Sequence, residues 1–79
     1  MKKNAKDLFE LRERLAALEH EQWLTWSRAL AQECSLPREI LERWWKQWKT
    51  YEELPEDQKE TDRFWADQVL SLLSKSSSL

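Results

Sequence analysis

Leu8, Leu11, Leu15, Leu18, Trp23, Trp26 and Leu30 recur along the first part of the chain with polar residues between them. At about 100° per residue they fall on one broad stripe of a helix. No proline interrupts the chain before Pro37, so the pattern predicts one helix over residues 6–33, roughly 42 Å long at about 1.5 Å per residue. Asn4 or Asp7 caps it, with Asp7 or Glu10 three residues on to return the bond. Two features break the stripe. Glu19 projects onto the apolar arc between Leu15, Trp23 and Trp26, whereas Phe9, His20 and Leu24 drift to its edge or beyond. A carboxylate buried without a partner is costly or takes up a proton, so Glu19 is expected to meet a donor: Arg63, Lys59, Tyr51 or an indole N–H.

Cys34, Ser35 and Leu36 make a short break, with Ser35 or Leu36 as N-cap and Pro37 in the first turn of a second helix. On that helix Ile40, Leu41, Trp44, Trp45, Trp48 and Tyr51 share one face, while Arg43, Lys46 and Lys49 lie on the other side. Interleaved indoles and cations are also the pattern of a surface that stacks single-stranded bases. The helical spacing is equally what a core requires, and it assigns Trp44 and Trp48 to the core and Trp45 to a partly exposed edge. Residues 50–54 turn the chain into a third helix over about 55–73, opened by Pro55 and by Glu56, Asp57 and Glu60 at the positive end of its dipole. Its apolar face, Trp65, Val69 and Leu72, has Asp62 inside it, and that carboxylate also needs a partner. The fold class expected is all-α: a three-helix antiparallel bundle with a long first helix. Residues 6–73 form its single domain, 1–5 a flexible N-terminus and 74–79 a disordered serine-rich tail.

Composition narrows the chemistry. A chain of 79 residues makes one small domain. Its six Trp, two Phe and one Tyr can each bury about 150–250 Å², so the core is expected to be built from tryptophan. Lys and Arg (13) nearly balance Asp and Glu (15), which gives no field for nucleic acid in general or for an anionic membrane. The absence of glycine removes glycine-rich phosphate loops and nucleophile elbows. One cysteine, no secretory leader and no apolar run long enough to span a bilayer make a cytoplasmic protein the expectation. One His and one Cys far apart have no metal-ligand spacing, and no Ser or Cys nucleophile lies near His20 in sequence. Glu19 and Asp62 could do acid–base work only in a cleft that so short a chain is not expected to form. The expectation is therefore a non-enzyme without metal or cofactor.

The remaining candidate chemistry is a polar cluster of Glu19, His20, Tyr51, Lys59, Asp62 and Arg63, rimmed by Trp23 and Trp65 and assembled if the third helix packs on the middle of the first. It is either a small aromatic-walled pocket, whose cations meet phosphate or carboxylate, or a closed salt-bridge network that fixes helix register. Several of these residues carry a family likeness. Tyr51-x-x-Leu54-Pro55-x-x-x-Lys59-x-x-Asp62-Arg63-x-x-Ala66 resembles the closing motif of the ryanodine-receptor repeat domain, a small helical domain of those calcium channels found also in bacterial and phage proteins. Leu15-Ala16-Ala17-Leu18-Glu19-His20-Glu21-Gln22-Trp23 resembles its opening helix, where a His and a Trp three residues apart recur. The two matches bracket residues 15–70; the tryptophan-rich middle departs from the looser, polar connection usual in that family. The resemblance implies a bacterial or phage binding module that recognises a small anionic, nucleotide-derived signalling ligand. Lys59 and Arg63 would hold it, with stacking on Trp23, Tyr51 or Trp65, and the protein would sense or sequester the ligand without converting it. The rival expectation is a protein-interaction module, a phage or prophage protein that docks on a host protein or pairs with itself through the first helix. Phe9, Leu24 and Phe64 would mark that partner surface because they lie off the core faces.

Overall fold

The computed structural model describes residues 5–77, with the side chains of residues 6–75, and it is helical without strands among them. α1 spans Ala5–Glu33, α2 Arg38–Trp45 and α3 Glu56–Ser77, with a short 3-10 turn at Tyr51–Glu53 between the last two. α1 is the long first helix that the apolar pattern predicts. Asp7 lies in its first turn, while Asn4, the expected flexible residues before Ala5 and the last two residues of the expected tail lie outside the described residues. α3 continues past Leu73 to Ser77.

α2 is shorter than its sequence pattern. Pro37 itself stands at the capping position in an extended conformation (φ −55°, ψ 143°). Its carbonyl accepts the N–H groups of Ile40 and Leu41 at 3.1 and 3.2 Å, which displaces Ser35 and Leu36 from the expected capping role. At the other end the helix unwinds after Trp45. Gln47 N–H reaches back to Trp44 at 2.8 Å, Trp48 N–H to Trp45 at 3.2 Å and Lys49 N–H to Gln47 at 3.0 Å, successively tighter turns than an α-helix makes. Tertiary bonds replace the helical ones there: the Trp48 indole N–H donates to Ser27 Oγ at 3.0 Å, and the Lys49 carbonyl meets His20 Nε2 at 2.7 Å. Tyr51, expected on the face of α2, instead belongs to the 3-10 turn. Pro55 opens α3 as Pro37 opens α2, its carbonyl taking the N–H groups of Gln58 and Lys59 at 3.1 Å each.

α1 and α3 run antiparallel, since Arg12 pairs with Asp67, Glu13 with Arg63 and His20 with Asp62. Small side chains line their contact: Ala16 and Ala66 are buried, and Tyr51 and Leu54 close over them as the rest of the apolar core, while the buried Ser27 meets Trp48 instead. The expected core faces are corrected by this arrangement. Leu8, Leu18 and Trp26 on α1 and Trp65, Val69 and Leu72 on α3 are exposed, and Leu11, Leu15, Trp23 and Leu30 are half-buried. The tryptophan core is corrected as well: Trp23, Trp44 and Trp48 are half-buried, while Trp26, Trp45 and Trp65 are exposed. The physical reason is the size of the core. The Cα trace extends 49 × 26 × 15 Å, elongated for so short a chain, and the buried apolar core among the described residues is limited to Ala16, Tyr51, Leu54 and Ala66, which leaves little interior for an indole.

Candidate functional site

The middle of α1 supplies Glu19, His20 and Trp23, and the first turns of α3 supply Gln58, Thr61, Asp62 and Trp65. With Gln47 from the end of α2 and Leu54 at the base, they line a cleft of about 200 Å³. The His20 and Trp23 rings stack at 5.8 Å with 25° between planes, as residues three apart on a helix can. Trp23 is backed edge-on by Trp44 at 5.9 Å. On the opposite side Trp65 is half-exposed and braced by Phe64 in a T-shaped contact at 5.3 Å.

His20 is 3% exposed, the most deeply placed polar group of the cleft. The 2.7 Å contact of its Nε2 with the Lys49 carbonyl fixes one proton, because a carbonyl can only accept and Nε2 must therefore donate. Nδ1 then faces Asp62 Oδ2 at 3.6 Å. Burial pushes the Asp62 carboxyl above its ordinary range; the His20 charge opposes that shift and the Glu19 charge adds to it. At that distance the two make no hydrogen bond, and attraction between them requires a proton on Nδ1 or on the carboxylate. Glu19 makes no hydrogen bond or ion pair among the described residues, and the expected donors Arg63, Lys59 and Tyr51 sit elsewhere. It is half-buried, and its carboxylate is not a buried group lacking a partner, since there is none among the described residues.

Arg63, Tyr51 and Lys59 form a separate lock. Arg63 Nε and Nη2 grip both oxygens of Glu13 at 2.9 and 2.7 Å, and Nη1 donates to Glu56 at 2.8 Å and Glu60 at 2.7 Å. The Tyr51 hydroxyl donates to Glu13 Oε2 at 2.9 Å. Lys59 Nζ lies 5.5 Å from the centre of the Tyr51 ring and 3.8 Å from Glu56. The Arg63 guanidinium, and after it the Tyr51 hydroxyl, hold the Glu13 carboxyl below its ordinary range. Burial first, and then the Glu13 acceptor, push the Tyr51 phenol up to about 12. Arg63, raised by its three carboxylates, has no fork left for a ligand.

Of the eight residues expected at a ligand site, Glu19, His20, Trp23, Asp62 and Trp65 line one cleft and Tyr51, Lys59 and Arg63 do not. Glu13, the centre of the lock, is the residue that apolar patterning misses. The signal for it is spacing: Glu13, Ala16, His20, Trp23, Ser27 and Leu30 follow one another at three and four residues, the period of a packed helix seam. Of the expected partner residues, Phe9 and Phe64 are exposed, whereas Leu24 is half-buried beside Ala17, His20 and Tyr51 in a second cavity of about 280 Å³. Among the described residues no three His, Cys, Asp or Glu are grouped to hold a metal ion, and no helix is long and apolar enough to cross a membrane. Comparison of the chain with protein-family models, with curated proteins and with solved structures finds no match.

Proposed function

We propose that this chain is a non-catalytic binding module, a three-helix bundle of the kind its resemblance to the ryanodine-receptor repeat implies, and that the α1–α3 cleft is its ligand site. The observation that carries the proposal is the meeting of Glu19, His20, Trp23, Asp62 and Trp65, drawn from both resembling motifs, around one opening. The lining fixes the sort of ligand. Two carboxylates and two glutamines accept from ring and exocyclic N–H groups, as Asp and Glu accept from a base edge. Indole faces stack on flat rings, at about 1–3 kcal/mol per base. A heteroaromatic ring bearing N–H donors, the base of a nucleotide-derived signal molecule, suits such a lining.

The acid-lined cleft does not favour phosphate itself. Lys59 and Arg63 are committed to Glu56, Glu60 and Glu13, so the anion contact expected of them passes to Lys46 and Lys49, exposed and beside Gln47 in sequence. The ligand is held and released unchanged, and the protein senses or sequesters it. Calorimetric titration with cyclic di- and trinucleotides and with ADP-ribose tests this reading. A binding member of that set should lose affinity about tenfold or more on Trp65→Ala and on Asp62→Asn, and no more than about twofold on Lys59→Ala. Absence of heat and of tryptophan quenching with every compound overturns the ligand reading.

A further inference from the structure

Two apolar lines on the α1–α3 pair are largely open to water. On α1 Leu8, Leu11, Leu15 and Leu18 repeat at three and four residues, and on α3 Trp65, Val69 and Leu72 do the same, the spacing at which one helix receives knobs from another. Neither line is the α1–α3 seam, which runs through Glu13, Ala16 and His20 on α1 and Asp62, Arg63 and Ala66 on α3, though the half-buried Leu15 packs against the edge of its core. Each apolar line is displaced from that seam in the same rotational sense, and because the two helices run in opposite directions, equal displacements bring both lines to one side of the pair. The cleft reports the same side: Glu19, on the leucine side of α1, and Trp65, on the apolar side of α3, line it together. The 3-10 turn covers the other side through Tyr51 and Glu13.

We propose that this face is the interface with a second copy of the chain, the α1–α3 layer of one copy packing on that of the other to make a four-helix core. Three observations choose that occupant. Leu18 is 58% exposed, Leu72 65% and Trp65 52%. With Leu8 and Val69, also exposed, they put five large apolar side chains on one face, and a contiguous exposed apolar patch marks an interaction surface. The molecule exposes 6597 Å², whereas a compact monomer of 9.7 kDa exposes about 5100 Å². Its radius of gyration is 15.5 Å, against about 12 Å for a compact chain of this length.

Charge complements the leucine line. Arg14 and Glu19 flank it on opposite sides, and neither makes an ion pair among the described residues. Across a twofold axis parallel to α1, Arg14 of one copy comes against Glu19 of the other, as flanking charges do in parallel helix pairs. The net charge of −2 opposes such pairing only weakly.

Sedimentation equilibrium on the full chain tests the inference. A dimer is expected, with Leu18→Glu raising its dissociation constant about a hundredfold or more. Arg14→Glu should weaken the dimer, and the double exchange Arg14→Glu with Glu19→Arg should restore it. Trp45→Lys, at an exposed residue of α2 away from this face, should leave the dimer intact. Circular dichroism separates dissociation from unfolding, because a helical Leu18→Glu monomer supports the inference. A wild-type chain that stays monomeric up to about 100 μM overturns it, as does a dimer that survives Leu18→Glu or that Trp45→Lys dissolves. Glu19 and Trp65 belong to both the face and the cleft, so the double exchange is read by sedimentation alone, and nucleotide titration of the Leu18→Glu monomer, which leaves every cleft residue in place, judges the ligand site separately.

Discussion

Arg63 illustrates how one side chain organises a chain with few buried hydrophobic residues. Its guanidinium spans α1 through Glu13 and the start of α3 through Glu56 and Glu60, and Glu13 in turn accepts from Tyr51, so three elements close on one carboxylate. Charge-assisted and bidentate bonds of this sort are the stronger class of hydrogen bond. The exposed pair Arg38–Glu42 is the contrasting case, since a solvated i,i+4 bridge contributes only about 0.3–0.5 kcal/mol. Tyr51 reports the state of the lock, and it is the only tyrosine in the chain. Its folded-state pKa of about 12 lies above the ordinary phenol value of about 10. The protonated hydroxyl therefore contributes stability that is complete below the ordinary value and is lost as pH rises through the folded one. An ultraviolet difference titration should give a midpoint near 12 in the wild type. In Glu13→Gln it should fall without reaching the ordinary value, because burial, the larger cause, persists. A wild-type midpoint at the ordinary phenol value would mean that Tyr51 and Glu13 are not joined in solution.

At the scale of elements, α2 is the least anchored. No residue in it is buried, and its ties are Trp44 against Trp23 and Trp26 and, just beyond its end, Trp48 on Ser27. Local opening follows burial. Amide exchange should therefore be faster in α2 than around Ala16 of α1 or Ala66 of α3, and Ser27→Ala should speed it further by leaving the Trp48 indole N–H without its acceptor. Equal protection in all three helices would contradict this order. The same element shows what was legible in the sequence. Helix type, the long α1, the proline openings of α2 and α3 and the exposure of Trp45 follow from periodicity and backbone chemistry, which act within a few residues. The end of α2 does not, because tertiary bonds from His20 and Ser27 set it. Nor does the choice between the two lines on α1. Periodicity gives the leucines more weight than Glu13, Ala16, His20 and Ser27, yet small and polar residues form the seam because Arg63, Lys49 and Trp48 answer them from distant positions. The cleft was legible in Glu19, His20, Trp23, Asp62 and Trp65. Tyr51, Lys59 and Arg63 departed from it because Glu13, absent from the expected cluster, drew them to the other side of the pair.

For the whole molecule, a core of few buried apolar residues carries little apolar burial, and polar ties between α1 and α3 bear a correspondingly large share of stability. That share should be visible in its pH dependence. Glu13, held low by Arg63 and then by Tyr51, and Asp67, held low by Arg12, contribute stability that is present above the ordinary carboxyl range and lost as pH falls through their depressed values. Asp62 has the opposite sign: burial raises it, so its ionised form weakens the fold at neutral pH, and that penalty disappears as acid protonates it. Glu13→Gln should consequently lower the thermal midpoint near pH 7 by about 10 °C, the equivalent of about 2 kcal/mol for a chain of this size. The deficit should shrink towards pH 3 as the wild-type carboxyl is protonated. Asp62→Asn should raise the midpoint at neutral pH, with the gain fading over the same acid range. Melting curves must be compared at one protein concentration, because a dimer's midpoint rises with concentration. Two variants whose midpoints ran parallel to wild type from about pH 3 to 8 would show that neither carboxylate senses its partners. The antiparallel contact through Arg63 and His20 would then not be what holds α1 to α3.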